Sequence, residues 1–160
     1  RDGTRHELAS FREMIDVNLV SAFLALTHGA AAMSTLDPLE DGERGVIVLV
    51  SSLAGLEGSA GQLAYGAAKA AVAGMTLPAA RDLAPVGVRV VTIAPGGMAE
   101  PADVDLDDPR IAEVLAGVVH PKRFGTAEDF ALMVTQIVEQ AYLNASIVRL
   151  DGGARLGIKH

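Results

Sequence analysis

Two side chains four residues apart, Tyr65 and Lys69, are the first in this 160-residue chain to suggest chemistry. On a helix that spacing puts both on one face, one turn from each other. A lysine ammonium beside a phenol favours the phenolate and draws the tyrosine pKa down from about 10. The pair then becomes an acid–base group usable near neutral pH. A solvated helix pair is the competing reading of the same spacing. Ser52 lies just past the apolar run "GVIVLV" (45–50), at the carboxyl end of a strand, where open α/β sheets place their ligands. Its hydroxyl can donate to the substrate oxygen that Tyr65 protonates or deprotonates. The alternative is a turn serine bonding its own backbone. Ser51 points the other way from the strand end and reads as structural.

Between these residues lies "GLEGSAG", with Gly55, Gly58 and Gly61. It follows a strand and precedes a helix, as a dinucleotide fingerprint does, but that pattern needs a Gly-x-Gly tight turn and the chain has none. The glycines read as a permissive loop rather than a phosphate cradle. A second turn, "APGG" (94–97), follows another apolar run and lets a flat ligand approach the main chain.

The elements that position these residues follow from periodicity. "TRHE" (4–7) fits a capping box. Leu8, Phe11, Ile15, Leu19, Phe23 and Leu26 recur at helical spacing, predicting one amphipathic helix over residues 5–33 with Asn18 beside its apolar stripe. The runs 45–50, 88–94 and 146–150 read as strands, the first two rich enough in β-branched residues to be buried on both faces. Residues 63–83 form a helix between the first two strands. "DPRIAEVLAGVV" and "TAEDFALMVTQIVEQ" form helices between the second and third, the latter capped by Thr126. Strands alternating with helices predict a parallel, doubly wound Rossmann-like α/β sheet. Three strands are few for it, so an open strand edge is expected, with residues 1–160 forming the carboxyl-terminal part of a larger domain.

Composition narrows the function classes. Half the residues are hydrophobic and 21% are charged, which fits a packed domain. A net charge of −7 argues against a nucleic-acid surface or an anionic membrane as partner. The clusters "LDPLEDGE" and "PADVDLDDP" read as solvated loops. The chain has no cysteine, which rules out disulfides and thiolate metal sites and fits a cytoplasmic location. His6, His28, His120 and His160 lack metal-ligand spacing, so no metal is expected. No apolar run approaches the roughly 18 residues of a membrane span, and the opening "RDGTRHE" lacks the form of a secretory leader.

Ser52 and Tyr65-x-x-x-Lys69, with twelve residues between the serine and the tyrosine, resemble the active-site pattern of the short-chain dehydrogenase/reductase family. "VNLVSAF" resembles the family's helix with a fourth catalytic residue, here Asn18. "VRVVTIAPGGM" resembles the strand and turn flanking the nicotinamide, and "IVRLDGGARL" the last strand and tail. A narrower likeness, in "GERGVIV", "GMTLPAARDLAPVGVRV" and "HPKRFGTAEDFALMVTQIVE", points to the 3-hydroxyacyl-CoA dehydrogenase branch of the family. The resemblance implies hydride transfer between a secondary alcohol or ketone and NAD or NADP, with NAD favoured. It implies Tyr65 as general base or acid, Lys69 on the nicotinamide ribose, Ser52 on the substrate oxygen and Asn18 positioning a water that links Lys69 to solvent. Pro95 and Gly96 are implied to touch the nicotinamide, and a homodimer or homotetramer is implied, built partly on helices 5–33 and 63–83. The family's glycine-rich turn and cofactor-selecting residue are expected upstream of Arg1. Glu100 stands where many relatives carry a threonine that bonds the carboxamide; a carboxylate there can still accept from the carboxamide amine.

Overall fold

The computed structural model describes residues 3–105 and 107–156. His160 therefore lies outside the described residues. Three strands, β1 (Gly45–Val50), β2 (Val88–Pro95) and β3 (Ile147–Leu150), form a parallel sheet in the order β1-β2-β3. Gly45 pairs with Val88 and Thr92 with Ile147. Among the described residues neither outer strand has a further neighbour, and Val50 is exposed at the end of β1. The parallel Rossmann-like sheet and its open edge are as the apolar runs indicate.

Every residue of β2 from Val88 to Ala94 is buried, which is why its sequence is β-branched without alternation. One face packs Ile47, Leu49, Val88 and Val90 against Leu26, Ala30, Val72 and Ala80 of the helices. The other packs Val91 and Ile93 against Ile137. β1 is covered on both faces but only partly, because its far edge lacks a partner. A buried Arg89 interrupts the apolar run of β2. Its guanidinium makes paired bonds of 2.9 Å to Glu43 and donates to the carbonyls of Ile137, Val138 and Leu143. It thus satisfies carbonyls that the end of a helix leaves without intrahelical partners.

The first helix runs as α1 (Leu8–Ile15), a π-helical turn (Asp16–Val20) and α2 (Ser21–Met33). It begins three residues later than its periodicity indicates, so Thr4 does not stand at its N-cap. The backbone is still extended at Glu7 (φ −72°, ψ 129°), which stands at the N-cap without a side-chain bond. Continuity through the π turn also corrects the estimate of membrane-spanning potential. Leu8–Met33 is one helix of 26 residues with mean hydropathy 1.3 in its most apolar window, long and apolar enough to cross a membrane by length and composition. Counting uninterrupted apolar runs missed it, because charged residues break the run without breaking the helix. Here it packs on α4 (Leu63–Leu83) and β1 as one layer of the α/β fold.

Helix α4 has the bounds its pattern predicts. A hydrogen bond of 2.7 Å between the buried hydroxyls of Thr76 and Thr92 ties it to β2. The glycine stretch is not all loop: Leu53–Glu57 form a short helix, α3, capped by Ser52. Helices α5 (Pro109–Ala116) and α6 (Ala127–Glu139) follow β2. Thr126 and Asp129 complete a capping box at the start of α6.

Replacing Ile93 by Ala, fully buried between sheet and helix, is expected to lower the unfolding free energy by about 2–5 kcal/mol in urea titration. Acid provides a second check. The Arg123 guanidinium, and after it the Thr126 amide, hold the Asp129 carboxyl well below the usual carboxylate range. A carboxylate depressed in the folded state contributes stability above its unfolded pKa of about 3.9, and loses it as pH falls toward the folded value. Urea midpoints are expected to drop below about pH 4 in the wild type and to drop less in Asp129→Asn.

Candidate active site

The carboxyl end of β1 runs into Ser51, Ser52 and α3, and α4 crosses directly behind them. Ser51 is buried, and its hydroxyl donates to the carbonyl of Lys69 at 2.7 Å. Its structural role is as expected, and it locks the strand end to the middle of α4. Lys69 returns to the same place, its Nζ donating to the carbonyl of Val50 at 3.1 Å. The Lys69 ammonium also lies 5.7 Å from the centre of the Tyr65 ring, within the range of cation–π attraction. The two residues therefore face one site rather than separate regions of solvent. Burial pushes the Lys69 pKa below the usual lysine range, as expected when a cation loses part of its hydration.

Ser52 is half-buried in extended backbone at the N-cap of α3, where its hydroxyl oxygen accepts from the amide of Ala54 at 3.1 Å. That bond is the backbone role held as the alternative for this serine. It leaves the hydroxyl proton available to a ligand, because a serine oxygen accepts and donates at once. Asn18 lies in the π turn packed on α4 and spends its side-chain amide within its own helix. Nδ2 donates to the carbonyl and to the sulfur of Met14, each at 3.1 Å.

The glycines act through close packing. A Cβ on Gly55 would lie 2.7 Å from the Lys69 carbonyl carbon and the Ala70 nitrogen, so the bare Cα lets α3 seat on α4 beside Lys69. Gly58 and Gly61 take positive φ values of 76° and 83° in the loop between the helices. At the end of β2 the turn at Pro95 packs on protein on one side. The open side of Gly96 faces Asp151 and that of Gly97 faces the Phe124 ring. Glu100 is also engaged, its Oε1 accepting from the Ala127 amide at the start of α6 at 3.2 Å. No metal-binding group of three His, Cys, Asp or Glu occurs among the described residues, where His6, His28 and His120 are exposed.

Sequence reasoning missed a charged group beside α3. Glu57, the last residue of that helix, accepts from Arg149 at 2.7 Å and from the Leu156 amide at 3.0 Å. The Leu156 amide, and after it Arg149, hold the Glu57 carboxyl below its usual range. The only signal in the sequence was an Arg inside a short strand, "IVRL".

Substituting Gly55 by Ala is expected to cost about 1–3 kcal/mol, since backbone rather than a flexible side chain must move aside. Urea unfolding measures it, and a variant as stable as the wild type would contradict the packing.

Comparisons with known proteins identify the family. The family model described as short chain dehydrogenase matches residues 2–110. The chain is 43% identical over 152 residues to rat 3-hydroxyacyl-CoA dehydrogenase type-2, covering 94% of this chain and 58% of the rat protein. It is 41% identical over 157 residues to the human protein of that name, covering 98% and 60%. The crystal structure of 3-hydroxyacyl-CoA dehydrogenase type-2 from Mycobacterium avium superposes with a TM-score of 0.91 at 41% identity, over 99% of this chain and 62% of that one. The chain thus spans less than two thirds of the length of these relatives. With Ser52, Tyr65 and Lys69 gathered at one end of a parallel sheet, this chain belongs to the short chain dehydrogenase family.

Proposed function

We propose that the chain is the carboxyl-terminal catalytic part of an NAD(P)-dependent oxidoreductase that interconverts a secondary alcohol and a ketone. The observation that carries this reading is the Lys69 ammonium over the Tyr65 ring, at the strand end that Ser52 follows. In the alcohol-to-ketone direction Tyr65 takes the hydroxyl proton, and in the reverse direction returns it. Ser52 donates its hydroxyl proton to the substrate oxygen and holds it within reach of Tyr65. The Lys69 ammonium supports negative charge on the Tyr65 oxygen.

The residues present fit the nicotinamide-ribose end of a nicotinamide dinucleotide. Lys69 has three N–H donors and uses one on Val50, which leaves two for the ribose hydroxyls. Pro95 and Gly96 would flank the nicotinamide end. The bound cofactor supplies the hydride acceptor or donor. Asn18 positions a water that relays protons between Lys69 and solvent. A 3-hydroxyacyl-CoA is the favoured substrate class, because relatives at 41–43% identity carry that name; NAD is favoured over NADP on the family resemblance alone.

A second reading, subunit assembly without catalysis, draws on an apolar groove of about 670 Å³ between α2 and α4. Phe23, Leu26, Ala30, Met75, Pro78 and Leu83 line it, and a second copy in a homodimer or homotetramer is its proposed occupant. The two readings part at one residue. In the protein that carries this chain, Tyr65→Phe is expected to lower turnover at least about 100-fold, the usual share of a general acid–base, while NADH still binds in fluorescence titration. Retained turnover would refute the enzyme reading.

A further inference from the structure

Helix α3 is five residues long, too short to hold its own orientation, since helix nucleation in isolation is unfavourable. Its geometry must come from what grips it. At the amino end Leu53 is buried against Val118 and Ala154. In the middle Gly55 rests on Lys69. At the carboxyl end Glu57 is held by β3 and the segment that follows it: Arg149 Nη1, in β3, donates to its Oε1 at 2.7 Å, the Leu156 amide to its Oε2 at 3.0 Å, and Arg155 Nε lies 3.4 Å from Oε1.

Arg149 is itself fixed. Its Nε and Nη2 reach Asp151 Oδ2 at 2.8 and 2.6 Å, and Nη2 also donates to the Ala154 carbonyl. The Asp151 side chain is only 6% exposed and packs on Gly96. One planar guanidinium therefore links the turn at Pro95–Gly96, the tail 151–156 and the far end of the helix that Ser52 caps. Arginine suits the place because its fork engages two carboxylates at once.

We infer that the Glu57–Arg149 pair is a positioning clamp that sets the Ser52 hydroxyl relative to Lys69 and Tyr65, making the 151–156 tail part of the catalytic apparatus. Neither residue touches the reacting atoms. The pair acts through α3, whose N-cap is Ser52. This rests on the oxidoreductase reading above only for its catalytic consequence; the mechanical coupling stands on the contacts alone.

A double-mutant cycle in the protein that carries this chain tests it. Glu57→Gln keeps the shape and removes the charge. It is expected to lower kcat about tenfold by misplacing Ser52, with the KM for cofactor unchanged. On a Ser52→Ala background the same change is expected to cost less than about twofold, because residues acting through one group are non-additive. A loss of equal size in both backgrounds, or no loss in either, overturns the catalytic role.

Hydrogen exchange read by NMR supplies the measurement that needs no turnover. In Glu57→Gln the amides of Ala54 and Gly55 are expected to exchange about tenfold faster while those of Val90 and Ile93 keep their rates. Arg149→Lys, which keeps the charge but not the fork, is expected to do the same. Unchanged Ala54 and Gly55 amides in both variants overturn the clamp. If Ser52→Ala alone leaves kcat intact while these amides respond, the clamp stands and the oxidoreductase assignment of Ser52 fails.

Discussion

A buried hydroxyl holds this site together. Ser51 donates to the Lys69 carbonyl at 2.7 Å with almost no exposure to water, in a setting where an unmade bond is costly and a made one is geometrically demanding. It fixes which residue of α4 stands beside the end of β1. Since Tyr65 lies one helical turn earlier and Lys69 reaches back to the Val50 carbonyl, the register of Tyr65 and Lys69 on the sheet follows from that contact. Ser52, the next residue along, then turns away to cap α3. Adjacent serines thus divide two structural tasks, one anchoring α4 behind the strand end and one capping α3.

The sheet makes this end rigid. β2 is buried along nearly its whole length, with apolar side chains on both faces, and the Thr76–Thr92 hydroxyl pair ties it to the same helix that carries Tyr65 and Lys69. At the opposite end of the sheet Arg89 and Glu43 form a buried pair that also gathers the carboxyl end of α6. Removing one partner of such a pair costs far more than the pair itself contributes, because the other charge is left without compensation. Both ends of the sheet therefore use a few polar contacts of high directional demand, set into packing that tolerates little displacement.

Glycine contributes by absence of bulk. At Gly55, Gly96 and Gly97 the missing Cβ admits another part of the protein, namely α4, Asp151 and Phe124. The turn that resembles a cofactor contact is therefore filled from behind by its own chain. Asp151, seated on Gly96, ties the tail beyond β3 to the turn, while the Leu156 amide of the same tail reaches Glu57 of α3 directly.

Several features were legible without coordinates. The bounds of α4, the parallel strands, the Thr126 cap and the structural role of Ser51 follow from local pattern: period, β-branched runs and cap chemistry act over a few residues. The start of the first helix, its π turn, the helical state of 53–57 and the engagement of Glu100 do not follow from local pattern. The sequence by itself determined the class of fold and which side chains can carry acid–base chemistry, since both depend on residue type and short-range spacing. Only the tertiary structure decided that Glu57 meets Arg149, 92 positions away, and that Arg89 meets Glu43 and the carbonyls at the end of α6. Such pairings depend on how distant segments pack, and many partners share the same local signature.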